Sequence, residues 1–221
     1  MTNYEIRAKA REDLGGKIFD SKWMYALLAA LIYGAIVSVI SAVPYIGGIA
    51  SLLLAGPLVF GITKYFIKLT EQSESPSLNC LFDGFNDFSE TFLLNLMMSI
   101  FIVLWSLLLV IPGIIKAYAY SMAFYIKNDN PSYNWKQCLD ESQKMMDGHK
   151  WQLFCLQFSF IGWAILCIFT FGIGYLWLEP YMIAATANFY RSLKPAQTAQ
   201  ADEFNYEPMD PAPKSNDFEA L

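Results

Sequence analysis

In this chain of 221 residues, 55% of the side chains are apolar and 16% are charged, whereas soluble domains average near 45–50% and about 25%. The charges keep to intervals between long apolar blocks, which excludes an ordinary water-soluble globular domain. The formal net charge of −5 owes much to an acidic C-terminal segment, and no nucleic-acid partner is expected.

The chain opens on a mixed-charge segment. Thr2-Asn3-Tyr4-Glu5 has capping-box spacing, so a helix is expected to begin there. The first apolar run covers 23–43, 21 uncharged residues, against the roughly 20 helical residues that cross a hydrocarbon core of about 30 Å. It is span-length rather than the shorter stretch of a signal, so a cleaved signal peptide is not expected. Pro44-Tyr45-Ile46-Gly47-Gly48 reads as a turn into a second span over 49–67, which contains Pro57 and Lys64.

Over 77–92, Leu78, Leu81, Phe82, Phe85, Phe88 and Phe92 recur at three- and four-residue steps, predicting an amphipathic helix at the membrane surface. The uncharged run 92–111 is the third span, Ile111-Pro112-Gly113 a turn, and 112–130 a fourth span carrying Lys116. A second amphipathic stretch runs over 133–146, with Trp135, Leu139 and Met146 on one face, Ser132 able to cap its start and Gly148 its end. Residues 151–171 form a fifth span, Phe171-Gly172-Ile173-Gly174 a turn, and 175–190 a sixth span with Glu179 and Pro180. After Leu193 come Pro195, Pro208, Pro211 and Pro213 among Gln, Ala and acids, so 194–221 is expected to be a disordered acidic cytoplasmic tail.

The fold expected is all-α and polytopic: six transmembrane helices as three hairpins, with amphipathic surface helices on the cytoplasmic side. Every Lys and Arg except Lys116 falls on one side of that topology, which the positive-inside rule makes cytoplasmic together with both termini. The location expected is therefore the cytoplasmic membrane. Residues 1–193 form a single membrane domain, and its hairpins read as a threefold repeat over 14–69, 78–127 and 134–193. Pro57, Thr63, Phe66 and Lys68 align without gaps on Pro180, Thr186, Phe189 and Arg191, and internal repeats are common in membrane folds.

Chemistry is sparse. The lone His149 has no nucleophile or acid set at recognisable spacing, and Cys80, Cys138, Cys155 and Cys167 form no Cys-x-x-Cys pair, so reduced thiols are expected. No catalytic residue, metal site or cofactor site is assigned, and the chain is not expected to be an enzyme. The sharpest candidates are Lys116 and Glu179, at similar depths in the fourth and sixth spans, where an intramembrane ion pair is possible. Asn95, Gln157 and Asn188 are candidate interhelical hydrogen-bond partners. Leu78, Leu81, Phe82, Phe85, Phe88, Trp135, Leu139 and Met146 are the candidate surface for membrane lipids or a membrane protein partner.

Three stretches carry a resemblance. They are Ile111-Pro112-Gly113-Ile114-Ile115-Lys116-Ala117-Tyr118-Ala119-Tyr120-Ser121-Met122-Ala123, Met145-Met146-Asp147-Gly148-His149-Lys150-Trp151, and Gly172-Ile173-Gly174-Tyr175-Leu176-Trp177-Leu178-Glu179-Pro180-Tyr181. With them the chain resembles an uncharacterised bacterial membrane family, domain-of-unknown-function family 975, over roughly residues 7–193. More distantly, the surface-helix-plus-hairpin layout resembles the membrane domain attached to some glycerophosphodiester phosphodiesterases, without their catalytic domain. The resemblance implies a polytopic helical fold in the cytoplasmic membrane and no reaction. Two functions from different classes are expected: a non-enzymatic module binding lipid or a membrane partner, or a small transporter or channel.

Overall fold

The computed structural model describes residues 1–16, 20–42, 46–71, 76–169 and 172–204. Among the described residues every regular element is helical: nine α-helices and one 3-10 helix. The fold is all-α, as expected. The turns at Pro44-Tyr45 and Phe171 and everything beyond 204 lie outside the described residues.

Helix α1, Asn3–Asp13, starts on the expected capping box, with Glu5 N–H donating to Thr2 Oγ1 at 3.3 Å and Thr2 N–H to Glu5 Oε2 at 2.8 Å. It lies across neighbouring ends of two later helices. Asn3 Nδ2 donates to the Gln152 carbonyl of α8 (Lys150–Phe169), and Asn188 Nδ2 of α9 (Ile173–Phe204) donates to Asp13 Oδ2 at 2.7 Å. Ile6, Ala10 and Leu14 recur on its packed face and are fully buried.

Among the described residues, four helices are long and apolar enough to cross a membrane: α2 (Ser21–Ser41), the Ala50–Glu71 part of α3 (Ile46–Glu71), α4 (Phe88–Leu108) and α8. Their far ends are inverted relative to a soluble protein. Leu107 is 84% exposed and Phe169 79%, within runs of exposed Leu, Val and Ile, and an apolar surface of that extent marks contact with something other than water. The chain is therefore membrane-embedded.

The other two expected spans take a different form. The reversal after α4 falls at the extended Leu109, not at Ile111-Pro112-Gly113, and Pro112 sits in the first turn of α5 (Val110–Tyr120). A proline there loses no helical hydrogen bond, because the first N–H groups of a helix have no intrahelical acceptor. The chain then breaks at Ser121-Met122 before the short α6 (Ala123–Asp129). Helix α9 is continuous for 32 residues but carries Glu179, Asn188 and Arg191. It also continues past Pro195 into the segment expected to be disordered; Ala196, Gln197, Ala199, Gln200 and Ala201 are strong helix formers.

The large buried side chains gather at the charged end of the bundle, Tyr65, Phe66, Phe189 and Tyr190 among them. That end is tied by polar contacts between elements. Arg191 Nη1 donates to the Thr70 carbonyl at the end of α3, Lys194 pairs with Asp129 at 2.6 Å, and Tyr190 Oη donates to the same Asp129 carboxylate. The buried Lys127 ammonium donates to the Pro131 and Tyr133 carbonyls, each at 2.8 Å, closing the loop after α6.

Candidate functional site

The apolar stripe over 77–92 is not one α-helical face. Leu78–Phe85 forms a 3-10 helix and α4 begins at Phe88. At three residues per turn, residues three apart eclipse, so the stripe separates into two. Leu81 and Gly84 turn inward and are buried, with Leu78 partly buried beside them, while Phe82 (50%), Phe85 (39%) and Phe88 (38%) form an exposed row.

This row stands on a rigid base. A Cβ on Gly61 would strike the Leu81 carbonyl, one on Gly84 the Pro57 carbonyl, and one on Gly56 the Thr91 carbonyl. Glycine alone lets the backbones of α3, the 3-10 helix and α4 approach so closely. Thr91 Oγ1 adds a bond to the Gly84 carbonyl at 3.1 Å, and Lys64 pairs with Asp83 at 2.8 Å.

The second candidate surface is internal. On α7 (Trp135–Met145) and just after it, Leu139 and Met146 are buried in the core and Trp135 packs against it. They cannot form a lipid-facing patch, because α7 packs into α4, α5 and α6 instead of lying free on the surface. Its N-cap is Asn134, in a capping box with Gln137, rather than Ser132; Gly148 past its end takes φ +74°. The buried Cys138 has its thiol pushed up to about 11 by burial, which leaves it a weak nucleophile.

Lys116 and Glu179 form no ion pair. Lys116 Nζ donates to Gln143 Oε1 of α7 at 2.7 Å and lies 5.5 Å from the Trp105 ring and 5.7 Å from that of Tyr120. Glu179 faces α2 near Tyr33. Sequence reasoning missed Gln143, since nothing local to Lys116 points 27 residues onward. Two of the three polar candidates do bridge helices: Tyr118 Oη donates to Gln157 Oε1 at 2.8 Å and Asn188 reaches Asp13. Asn95 is buried on α4.

A crevice of about 650 Å³ opens where α1, α2, α8 and α9 meet. Tyr4, Arg7 and Arg11 form its rim from one face of α1, and Trp23, Trp163, Leu166, Trp177 and Leu178 supply most of its wall. Tyr181 joins the two parts: its ring packs on Trp23 and Phe160, and its hydroxyl donates to the Arg7 carbonyl at 3.3 Å. No sequence signal announced this site, because its residues are spread from position 4 to position 181. Among the described residues, no group of His, Cys, Asp or Glu could hold a metal ion.

A family described as "Protein of unknown function (DUF975)" matches residues 1–116 and 107–197. No curated protein and no solved structure matches the chain.

Proposed function

The chain belongs to the DUF975 family of proteins of unknown function, and from that premise we propose that it is a non-enzymatic integral membrane module that binds lipid at its charged rim. In this reading it spans the cytoplasmic membrane six times, as three hairpins, with both termini inside. The joined α5 and α6 support the fourth span: 110–129 covers twenty residues, about 30 Å of helix. A break within a span is tolerated where protein satisfies the freed backbone groups, and α7 does so here. The first twenty residues of α9 serve as the sixth span. The placement of Lys and Arg supports the orientation.

The observation that carries the reading is the row of Phe82, Phe85 and Phe88, exposed on a base that glycine contacts hold rigid. Three adjacent phenylalanines beside the paired Lys64 and Asp83 suit the boundary between headgroups and acyl chains. A nitroxide at Phe85→Cys, with the four native cysteines replaced, tests it in proteoliposomes. Preferential collision with dissolved oxygen is expected; preferential collision with a water-soluble nickel chelate overturns the reading.

A further inference from the structure

The crevice under α1 carries two arginines at its rim. Lys64, Lys144, Lys150 and Lys194 each pair with a carboxylate. Among the described residues neither Arg7 nor Arg11 is ion-paired, although Glu12 and Asp13 follow directly on the same helix. The two guanidinium groups stand one turn apart on a single face, and Arg7 uses only Nε, on the Asn3 carbonyl. Among the described residues that line the crevice, they are the only charged ones.

Away from the arginines the wall is apolar and aromatic. The lining part of α9 runs from Gly174 to Tyr181, about 10 Å along the helix axis. Trp163 and Leu166 are more than half exposed on the flank, so the crevice opens sideways, toward the surface that faces lipid. The Tyr181 bond to the Arg7 carbonyl holds the cationic rim over this wall.

We propose that the crevice binds one anionic phospholipid, with its phosphate between Arg7 and Arg11 and an acyl chain laid along Trp163, Leu166 and Leu178. Guanidinium forks match phosphate oxygens in geometry as well as charge. Two cations without an ion pair, and no acid among the described residues that line the crevice, favour a net-negative headgroup over a zwitterionic one. A free phosphate would leave the apolar wall unused. The volume lies within the range of small-molecule sites and suits a headgroup with one chain, the second chain remaining in the bilayer. This inference rests on the membrane reading above and names the lipid for a second place on the same rim.

The test is native mass spectrometry of the full chain in detergent, with phosphatidylglycerol and phosphatidylcholine of identical acyl chains added at equal concentration. One phosphatidylglycerol per chain is expected, in at least tenfold preference. Arg7→Gln with Arg11→Gln should abolish that preference, and Arg7→Lys with Arg11→Lys should keep part of it. On the unmodified chain, raised salt should weaken retention of phosphatidylglycerol, and inorganic phosphate at matched ionic strength should not displace it further. Equal retention of the two lipids, an unchanged preference in the Gln variant, or displacement by inorganic phosphate overturns the proposal. A water-exposed label at Phe85 with this preference intact defeats only the earlier reading. A lipid-exposed label without the preference defeats only this one.

Discussion

The Ser142 hydroxyl of α7 accepts a hydrogen bond from the Met122 amide at 3.2 Å, inside the break between α5 and α6. It also donates to the Ala119 carbonyl at 2.8 Å, so one side chain satisfies a donor and an acceptor that the break leaves open. All three groups are buried. Ser142→Ala strands both backbone groups, at a cost of about 1–3 kcal/mol each when buried and unmet. A fall of several degrees in melting temperature is expected in mild detergent, with a smaller fall for Ser142→Cys, which keeps a weak donor. A melting temperature unchanged in Ser142→Ala would mean that the break closes without α7.

The base of the phenylalanine row gives a sharper test, because two glycines in apolar helices differ only in what surrounds them. Gly61→Ala places a methyl on the Leu81 carbonyl, whereas Gly34→Ala meets nothing within 4 Å. Overpacking of this kind typically costs about 1–3 kcal/mol. At an open helical site alanine gains up to about 1 kcal/mol. Thermal unfolding should therefore move in opposite directions for the two variants. Equal shifts would show that the 3-10 helix does not sit on α3.

Asp13 sets a pH dependence. Burial raises its carboxyl above the ordinary range, against the hydrogen bond from Asn188 and the nearby Arg191 and Lys9, which lower it. A carboxyl raised on folding keeps its proton in the folded state at pH values where the unfolded chain has lost it. Its contribution is complete on the acid side and is lost as pH rises through the folded value. Asp13→Asn fixes the neutral form. The melting temperature of the variant minus that of the natural chain should be near zero at about pH 4, where carboxyls ordinarily titrate, and positive at neutral pH. A difference that does not vary with pH contradicts this origin.

Much of the fold was legible because lipid imposes simple demands. Long uncharged runs announced α2, α4 and α8, and Thr2 with Glu5 announced the start of α1. What escaped is what tertiary contacts decide. The spacing of Phe82, Phe85 and Phe88 fits either a 3.6- or a 3.0-residue turn, and the choice depends on Gly61 and Gly84 letting backbones meet. Pro112 looked like the hairpin turn because proline so often marks one, yet it serves as well in a first helical turn. Leu139 and Met146 have the pattern of a surface stripe whether the surface meets lipid or other helices, and here α4 to α6 cover them. The crevice rim on Arg7 and Arg11 has no local signature at all.

Lys116 is the last case, where the partner chosen by sequence and the partner in the fold can be separated by measurement. Its ammonium rests on Gln143 at 2.7 Å and faces two aromatic rings. In a site of low dielectric, that amide oxygen and the ring faces replace water as its solvation. A double-mutant cycle of Lys116→Met with Gln143→Leu should therefore give a coupling energy of about 1 kcal/mol or more, since hydrogen bonds to charged groups are the stronger ones. The cycle of Lys116→Met with Glu179→Gln should be additive within about 0.5 kcal/mol, as expected for sites that share no partner. Unfolding of the four-variant sets in one detergent gives both values. Coupling in the Glu179 cycle and none in the Gln143 cycle would restore the ion pair and move α9 against α5. Coupling with Gln143 alone makes Lys116 a second tie between α7 and α5, beside the Ser142 bond to the Ala119 carbonyl.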